Sequence, residues 1–295
     1  MSADERPLYE LHDEGPFDRP VLVVALEGWV DAGLGASNAL ASLLPATSAR
    51  PIATFDGDRL IDQRARRPIA HIVDGVTTEL TWPLIQVHAG RDLAGADVLY
   101  LLGAEPDFHW RSFVDAVVSL AVGWGVRMVV VLGAFPAPAP HTRPVRLAAT
   151  APPSSAGLLG RIGVVQGEME VPAGIHAALE LAFGSAGIDA ISLWARVPHY
   201  VAAMSVPEAS AALVDGLALV SGLALDSSPL RAAADSSRQQ VDELIAGNPD
   251  HLAMVAKLEE AVDAAEGNVF GAAGDLPTGD EIAADFERYL RGEHE

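Results

Sequence analysis

Four short apolar runs, rich in valine and leucine, constrain the fold of this chain more than any other feature of its sequence. They occupy residues 20–26, 97–102, 127–132 and 190–196. Runs of this length and composition predict strands that are buried on both faces. Stretches with helical spacing lie between them, and strands that alternate with helices indicate a mainly parallel sheet covered on both sides. The sequence therefore predicts a three-layer α/β sandwich.

Weaker patterns complete the predicted order of elements. Asp74-Gly75 divides a Thr- and Val-rich stretch at 70–87 and indicates a hairpin. Further extended segments are predicted at 50–55, 145–150 and 164–170, and helices at 34–44, 111–122, 154–159, 173–183 and 207–223. After residue 226 the strand patterns stop, and three helices are predicted at 230–246, 250–266 and 278–291.

The charge distribution supports a division at the same point. The chain has 295 residues and a net charge of −21, and residues 226–295 alone carry 16 acidic and 5 basic side chains. We therefore expect an α/β domain over residues 1–225 and an acidic helical region over 226–295. A surface this negative repels phosphate backbones, so nucleic acid is not an expected partner.

Composition excludes several classes of site and location. The chain has no cysteine, which rules out disulfides and thiolate chemistry, and its one lysine, Lys257, argues against a phosphate-binding ATP site. No apolar run reaches the roughly 18 residues of a membrane span. The polar N-terminus lacks the features of a signal peptide. The expected location is the cytoplasm, without membrane contact.

A polar loop containing an aromatic or histidine side chain follows each of the four buried runs. These loops occupy residues 28–33, 105–110, 140–144 and 197–200. Because the carboxyl ends of parallel strands meet at one edge of a sheet, the four loops are expected to form one site. The candidate ligand or interface residues are Trp29, Asp31, Glu105, Asp107, Trp110, His141, Arg143, His199 and Tyr200.

Each group of candidates has two interpretations. Asp31 and Asp107 precede predicted helices, so they either cap them or act as acid/base groups. His141 and Arg143 lie between prolines and either bind an anion or pair with an acid of a neighbouring loop or subunit. The aromatic residues form either a ligand platform or an oligomer contact.

No cofactor or metal is predicted from these residues. A glycine pattern at 33–38 follows the first strand, as in dinucleotide-binding turns. However, Asn38 replaces the third glycine, and Asp31 places a negative charge where a pyrophosphate would lie. The glycines are therefore interpreted as residues that the shape of the turn requires.

Six motifs, in order along nearly the whole chain, carry a resemblance to a known family. They are GWVDAG at 28–33, DQRARRP at 62–68, GAEPDFHW at 103–110, HTRP at 141–144, WARVPHY at 194–200 and LPTGDEIAADFERYL at 276–290. With them the chain resembles the PAC2 family, named after proteasome assembly chaperone 2, in its actinobacterial branch. The resemblance implies a fold similar to that of purine nucleoside phosphorylases, followed by a helical C-terminal region.

The resemblance also implies a function. Better-studied relatives are non-catalytic chaperones of proteasome assembly. The resemblance therefore implies that proteasome subunits or another protein are the partner. It also implies a homo-oligomer, such as a trimer. Some relatives dock through a C-terminal hydrophobic–Tyr–any tripeptide, whereas this sequence ends Glu293-His294-Glu295. The alternative is an enzyme or sensor for a nucleoside-like or anionic ligand, held by His141, Arg143 and His199.

Overall fold

The computed structural model describes residues 7–28, 31–165 and 167–267. Its ten strands are β1 (Tyr9–Leu11), β2 (Val21–Glu27), β3 (Arg50–Phe55), β4 (Ile69–Val73), β5 (Val76–Thr81), β6 (Ile85–Arg91), β7 (Asp97–Ala104), β8 (Met128–Ala137), β9 (Leu147–Thr150) and β10 (Asp189–Pro198). Eight of them form one sheet in the order β1-β3-β6-β7-β2-β8-β10-β9, while β4 and β5 pair only with each other among these strands.

The centre of the sheet is parallel, as the four apolar runs predict. Strand β2 pairs in parallel with β7 and β8, and β8 pairs in parallel with β10. Strands β1, β6 and β9 run in the opposite direction and occupy or adjoin the flanks of the sheet. The predicted hairpin at Asp74-Gly75 is confirmed, but it forms a separate ribbon outside this sheet.

Within the described residues, seven α-helices accompany the sheet. They are α1 (Gly35–Ala46), α2 (Gly57–Leu60), α3 (Trp110–Gly123), α4 (Ile175–Ser185), α5 (Pro207–Ser221), α6 (Ser228–Ala246) and α7 (Pro249–Gly267). Short 3₁₀ helices lie at 32–34, 153–161 and 199–201. Helices α3 and α4 cover one face of the sheet, and α1 and α5 cover the other.

Alternation along the buried strands produces these two cores. In β2, Leu22 and Val24 pack with α3 and α4, whereas Val21 and Val23 pack with α1 and α5. All four are at most 2 % exposed, because a strand covered on both faces directs successive side chains into opposite layers. The predicted three-layer α/β fold is confirmed.

The acidic helices α6 and α7 form a third, smaller cluster with the loop that follows β10. Its buried members are Val201, Val241, Ile245 and Val255. Both helices begin and end within two residues of their predicted bounds, and the helix predicted at 278–291 lies outside the described residues. No helix in the described ranges is long and apolar enough to cross a membrane.

The short helix predicted at 154–159 is present as a 3₁₀ helix over 153–161. One local prediction differs from the structure. The described residues of 164–170, predicted as extended, have no regular secondary structure. The contact with the sheet stops just before this segment, where the N–H of Ala149 in the edge strand β9 donates to the carbonyl of Gly163 at 2.9 Å.

Candidate functional site

Strands β2, β7, β8 and β10 all run in one direction, so the loops that follow them lie along one edge of the sheet, here called the rim. The start of β6 reaches the same edge, because Ile85 pairs with Gly103 near the end of β7. The predicted juxtaposition of the loops is thus present among the described residues. Trp29 lies outside them. The remaining candidates fall into three groups along the rim.

Asp31, in the middle of the rim, caps helix α1. Its Oδ1 accepts a hydrogen bond from the backbone N–H of Ala36 at 2.7 Å, and its Oδ2 accepts one from the N–H of Ser37 at 3.0 Å. The Ser37 hydroxyl donates to Oδ2 at 2.6 Å. Because the first N–H groups of a helix have no partner within the helix, a carboxylate stabilises them. The capping interpretation is confirmed for Asp31.

Glu105 lies beside Asp31 on the rim and links two layers of the fold. Its Oε1 accepts a hydrogen bond from the N–H of Ile175, the first residue of α4, at 2.7 Å. A Cβ on Gly28 would lie 2.2 Å from Oε2 of the same carboxylate, so the absence of a side chain at Gly28 admits Glu105. The Glu105 carboxylate therefore caps the N-terminus of α4 and ties it to the end of β7.

His176 and Trp194, whose rings lie 6.3 Å apart, complete this central group. Neither residue is among the sequence-predicted site residues, although Trp194 begins the WARVPHY motif. The backbone N–H of Leu26 donates to Nε2 of His176 at 3.3 Å, so the acceptor nitrogen is unprotonated. Burial lowers the pKa of His176 to about 4, against a smaller opposing effect of Asp31. Trp194 lies over Gly133, where a Cβ would come within 2.3 Å of the indole ring. The centre of the rim thus holds a neutral imidazole beside an indole.

Asp107 does not cap helix α3, and that interpretation is wrong. Its Oδ2 accepts from the N–H of Asp62 at 2.8 Å and lies 3.4 Å from Nε of Arg66. The residue before α3 is instead His109, which has a positive φ of 57° and makes no side-chain cap. The Asp107 side chain points towards the loop at 61–66, because that loop supplies both the Arg66 guanidinium and the backbone N–H of Asp62. The nearby Trp110 donates from Nε1 to a backbone carbonyl four residues earlier, at 2.6 Å.

At the other end of the rim, His141 lies between a tyrosine and an acid of helix α6. Its Nδ1 lies 2.7 Å from the Tyr200 hydroxyl, and its Nε2 lies 2.9 Å from Oδ1 of Asp242. The Tyr200 hydroxyl also accepts from the backbone N–H of His141 at 2.8 Å. Burial raises the pKa of Tyr200 to about 12. His199 is exposed, and its ring packs edge-on against Tyr200.

Arg143 binds two acids of helix α7. Its Nε and Nη2 donate to the two oxygens of Asp263 at 2.9 and 2.8 Å, and Nη1 donates to Glu259 at 3.1 Å. The Thr142 hydroxyl donates to the same Glu259 carboxylate. The arginine lowers the pKa of Asp263, chiefly through the hydrogen bond. Both acids that bind Arg143 thus belong to helix α7 of the same chain.

The three groups differ in what remains available for chemistry. The carboxylates of Asp31, Glu105 and Asp107 are engaged in contacts within the fold, and His141 and Arg143 are engaged with α6 and α7. Within the ranges that the structure describes, no group of three or more His, Asp or Glu side chains could hold a metal ion. These described side chains of the rim thus take part in contacts within the fold.

Comparisons with known proteins agree with the fold and the motifs. The model of the PAC2 family matches residues 25–245. A Corynebacterium glutamicum protein of unknown function is 30 % identical, with a TM-score of 0.82 over 89 % of this chain and 99 % of that one. A Mycobacterium tuberculosis proteasome-assembly chaperone homologue is 36 % identical, with a TM-score of 0.74 over 80 % and 99 %.

A more distant structure shares the fold alone. It is a Pyrococcus furiosus protein described as an archaeal proteasome activator, 15 % identical, with a TM-score of 0.59 over 80 % of this chain and 97 % of that one. No curated protein matches the sequence. The family model covers most of the chain and the bacterial relatives match over most of their length, so the chain belongs to the PAC2 family.

Proposed function

We propose that this chain is a non-catalytic, homo-oligomeric assembly protein of the chaperone type that acts in the cytoplasm. In this proposal the α/β domain of residues 1–225 presents its rim to a protein partner. The acidic region of residues 226–295 covers part of that rim. The observation that supports it most is the engagement of the rim carboxylates in structural hydrogen bonds.

A general acid or base must reach a substrate proton, and the rim acids are poorly placed for this. Asp31 uses both oxygens at the start of α1, and Asp107 uses Oδ2 on Asp62. If either carboxylate moved away, the backbone N–H groups that it binds would lose their acceptor, which costs roughly 1–3 kcal/mol where these groups are buried. The same contacts hold the loops of the rim in a fixed shape, which suits the binding of a protein partner.

The relatives support a protein as partner. The M. tuberculosis protein is described as a proteasome-assembly chaperone homologue and is 36 % identical to this chain. By that likeness, proteasome subunits are the first candidate partner. Relatives as distant as the P. furiosus activator add nothing on this point, since they share the fold alone.

The test is capture of a partner with the full-length chain and with two charge-reversal variants. Arg143→Glu places a third carboxylate against Glu259 and Asp263 and should release α7, so that more partner is recovered. Arg91→Glu is the control, because Arg91 pairs with Asp97 at the opposite edge of the sheet. The proposal is supported if one partner protein is recovered, if its complex with this chain can be rebuilt from the two purified proteins, and if the amount recovered rises with Arg143→Glu but not with Arg91→Glu. Recovery of no stoichiometric partner by any of the three chains would contradict the proposal.

A second candidate function is favoured by one observation near the centre of the rim. The Nε atom of Arg196 is buried, and no described atom accepts a hydrogen bond from it. The backbone N–H of Arg196 bonds the carbonyl of Arg146, so two cationic residues adjoin there, on the strand that carries Trp194. A buried guanidinium donor without an acceptor suits an anionic or nucleoside-like ligand.

Thermal unfolding with inorganic phosphate, nucleosides and nucleotides tests this second function. A compound at about 100 times its Kd should stabilise the chain by roughly 2.7 kcal/mol. Arg196→Met should abolish the shift, while Arg91→Met should preserve it. Unchanged midpoints with every compound, or a shift that survives in Arg196→Met, would eliminate the ligand at this position.

A further inference from the structure

Three large apolar side chains are exposed at one end of the rim. They are Trp82 at 48 %, Leu84 at 46 % and Phe108 at 48 %. The first two lie just before β6 and the third follows β7, so all three adjoin the edge where the loops of the rim meet. Exposed apolar side chains flanked by polar residues are typical of contact sites.

Helix α2 lies between these side chains and brings them close together. A Cβ on Gly57, its first residue, would lie 3.6 Å from the carbonyl oxygen of Pro83. The carbonyl of Leu60, its last residue, accepts a hydrogen bond from the backbone N–H of Phe108 at 3.1 Å. A helix of this length spans only about 6 Å. Residues 57–67, 82–84 and 105–108 therefore form one region, here called the corner.

The corner also carries exposed positive charge. Arg64 and Arg67 are exposed, and within the described part of the chain neither forms an ion pair. Their loop is fixed to the rim, because the N–H of Asp62 donates to Asp107 at 2.8 Å. Two exposed arginines beside apolar side chains complement a segment that is both acidic and amphipathic.

Residues 278–291, for which the sequence predicts a helix, have this chemistry. Its apolar face would carry residues at positions i, i+4 and i+7, namely Ile282, Phe286 and Tyr289. Glu281 and Asp285, four residues apart, would lie along one margin of that face. A helix this short is marginally stable in water by itself, so its apolar face needs a surface to cover it.

The chain is long enough to bring this predicted helix to the corner. Asp263, near the end of α7, is bound to Arg143 in the loop after β8. Residues 268–277 connect α7 to the predicted helix and reach up to about 33 Å when extended. In the sheet, β8 and β6 are three strand spacings apart, which is about 15 Å. The connection therefore exceeds the distance along the rim.

We infer that residues 278–291 fold back across the rim and cover the corner of the same chain. The apolar face of the predicted helix packs on the three exposed apolar side chains of the corner, and the two acids at its margin meet Arg64 and Arg67. The inference rests on the proposed function, in which residues 226–295 cover part of the rim, and it specifies which part the predicted helix covers. A partner that binds the whole rim must displace this helix as well as α7.

Crosslinking within the full-length chain tests this position, because the chain has no cysteine of its own. Asp58→Cys, on an exposed residue of α2, places a thiol in the corner. Ala283→Cys places a second one beside the apolar face of the predicted helix. A short bismaleimide should join these two thiols within one chain about tenfold faster, or more, than it joins Ala283→Cys to Leu93→Cys. Leu93 is the matched control, since it is exposed at the opposite edge of the sheet.

Charge exchange in the D58C/A283C chain tests the ionic part of the contact. R64E/R67E and E281R/D285R should each slow the crosslinking about threefold or more, because attraction becomes repulsion. The chain with all four charge substitutions should regain the original rate, since opposite charges meet again.

Two serine substitutions test the apolar part of the contact. Phe286→Ser removes a large side chain from the apolar face and should slow the crosslinking about tenfold or more. Ala284→Ser, on the opposite side of the predicted helix, should leave the rate unchanged.

The outcomes separate this inference from the function on which it rests. Equal crosslinking to the corner and to Leu93→Cys overturns the inference, and so do crosslinked dimers in place of crosslinked monomers, which place the helix on a second copy. Slower crosslinking in both charge variants without recovery in the combined chain shows that these charges do not meet, and it overturns the inference as well. No partner takes part in this experiment, so a clear preference for the corner together with no captured partner contradicts the proposed function alone.

Discussion

Replacement of Gly103 by alanine should lower the free energy of unfolding by about 3 kcal/mol or more. Gly103 has a φ of +106°, which L side chains rarely adopt. A Cβ there would also lie 1.9 Å from the carbonyl oxygen of Leu84. That carbonyl accepts from the N–H of Ala104 at 3.0 Å, so it cannot withdraw without loss of a sheet hydrogen bond. Both penalties act on the end of β7, which positions Glu105 and Asp107.

Urea unfolding measures the effect, and Gly187→Ala is its matched control. Gly187 has a φ of +75°, and no described atom outside its two chain neighbours lies within 4 Å of the place that a Cβ would occupy, so only the backbone conformation is penalised. That control should cost about 1 kcal/mol. If the two alanine variants unfold at the same urea concentration, the close approach of β6 and β7 at Gly103 is not a constraint on the fold.

The second large effect is a loss of stability in mild acid that depends on His176. Folding lowers the pKa of this residue from 6.5 to about 4, mainly through burial. Between these values the unfolded chain binds the proton and the folded chain does not, so stability falls as the pH falls. The contribution of His176 to the free energy of unfolding is present above its unfolded pKa of 6.5. About 2 kcal/mol of that contribution should be lost as the pH falls from about 7 to about 5.

Comparison of the wild type with His176→Gln isolates this contribution. A glutamine oxygen can still accept from the N–H of Leu26, but it does not titrate, so the variant should lose about 2 kcal/mol less over the same pH range. The subtraction is needed because burial also lowers the pKa of His88, which contributes with the same sign. Parallel stability curves for the two proteins would show that His176 takes up its proton in the folded state as readily as in the unfolded chain.

Much of the architecture could be predicted from the sequence because it depends on local patterns of burial. The four central strands and helices α3 to α7 lie close to their predicted positions, since each buries a continuous run or a periodic face. The flanking strands were harder to orient. Antiparallel β6 and β9 have the same kind of sequence as their neighbours, and only pairing within the sheet determines their direction.

The candidate site was predictable in position and less so in its contacts. Loops after parallel strands meet at one edge for a topological reason, which is why Asp31, Glu105 and His141 share the rim. His176 was missed because it lies at the beginning of a helix instead of following a strand. Asp107 was misassigned because the loop at 61–66, more than 40 residues away, supplies its donors.

The sequence by itself determined that this chain forms a covered sheet with its polar loops at one edge, followed by the acidic helices α6 and α7. Hydrophobic periodicity carries that information, because each strand or helix must bury its own apolar side chains. Only the tertiary structure decided which charges meet. Arg143 binds Asp263 across 120 residues, and His141 meets Asp242 across 101. Such contacts depend on where α6 and α7 pack against the rim, and no local pattern of residues encodes the distance between two separate elements.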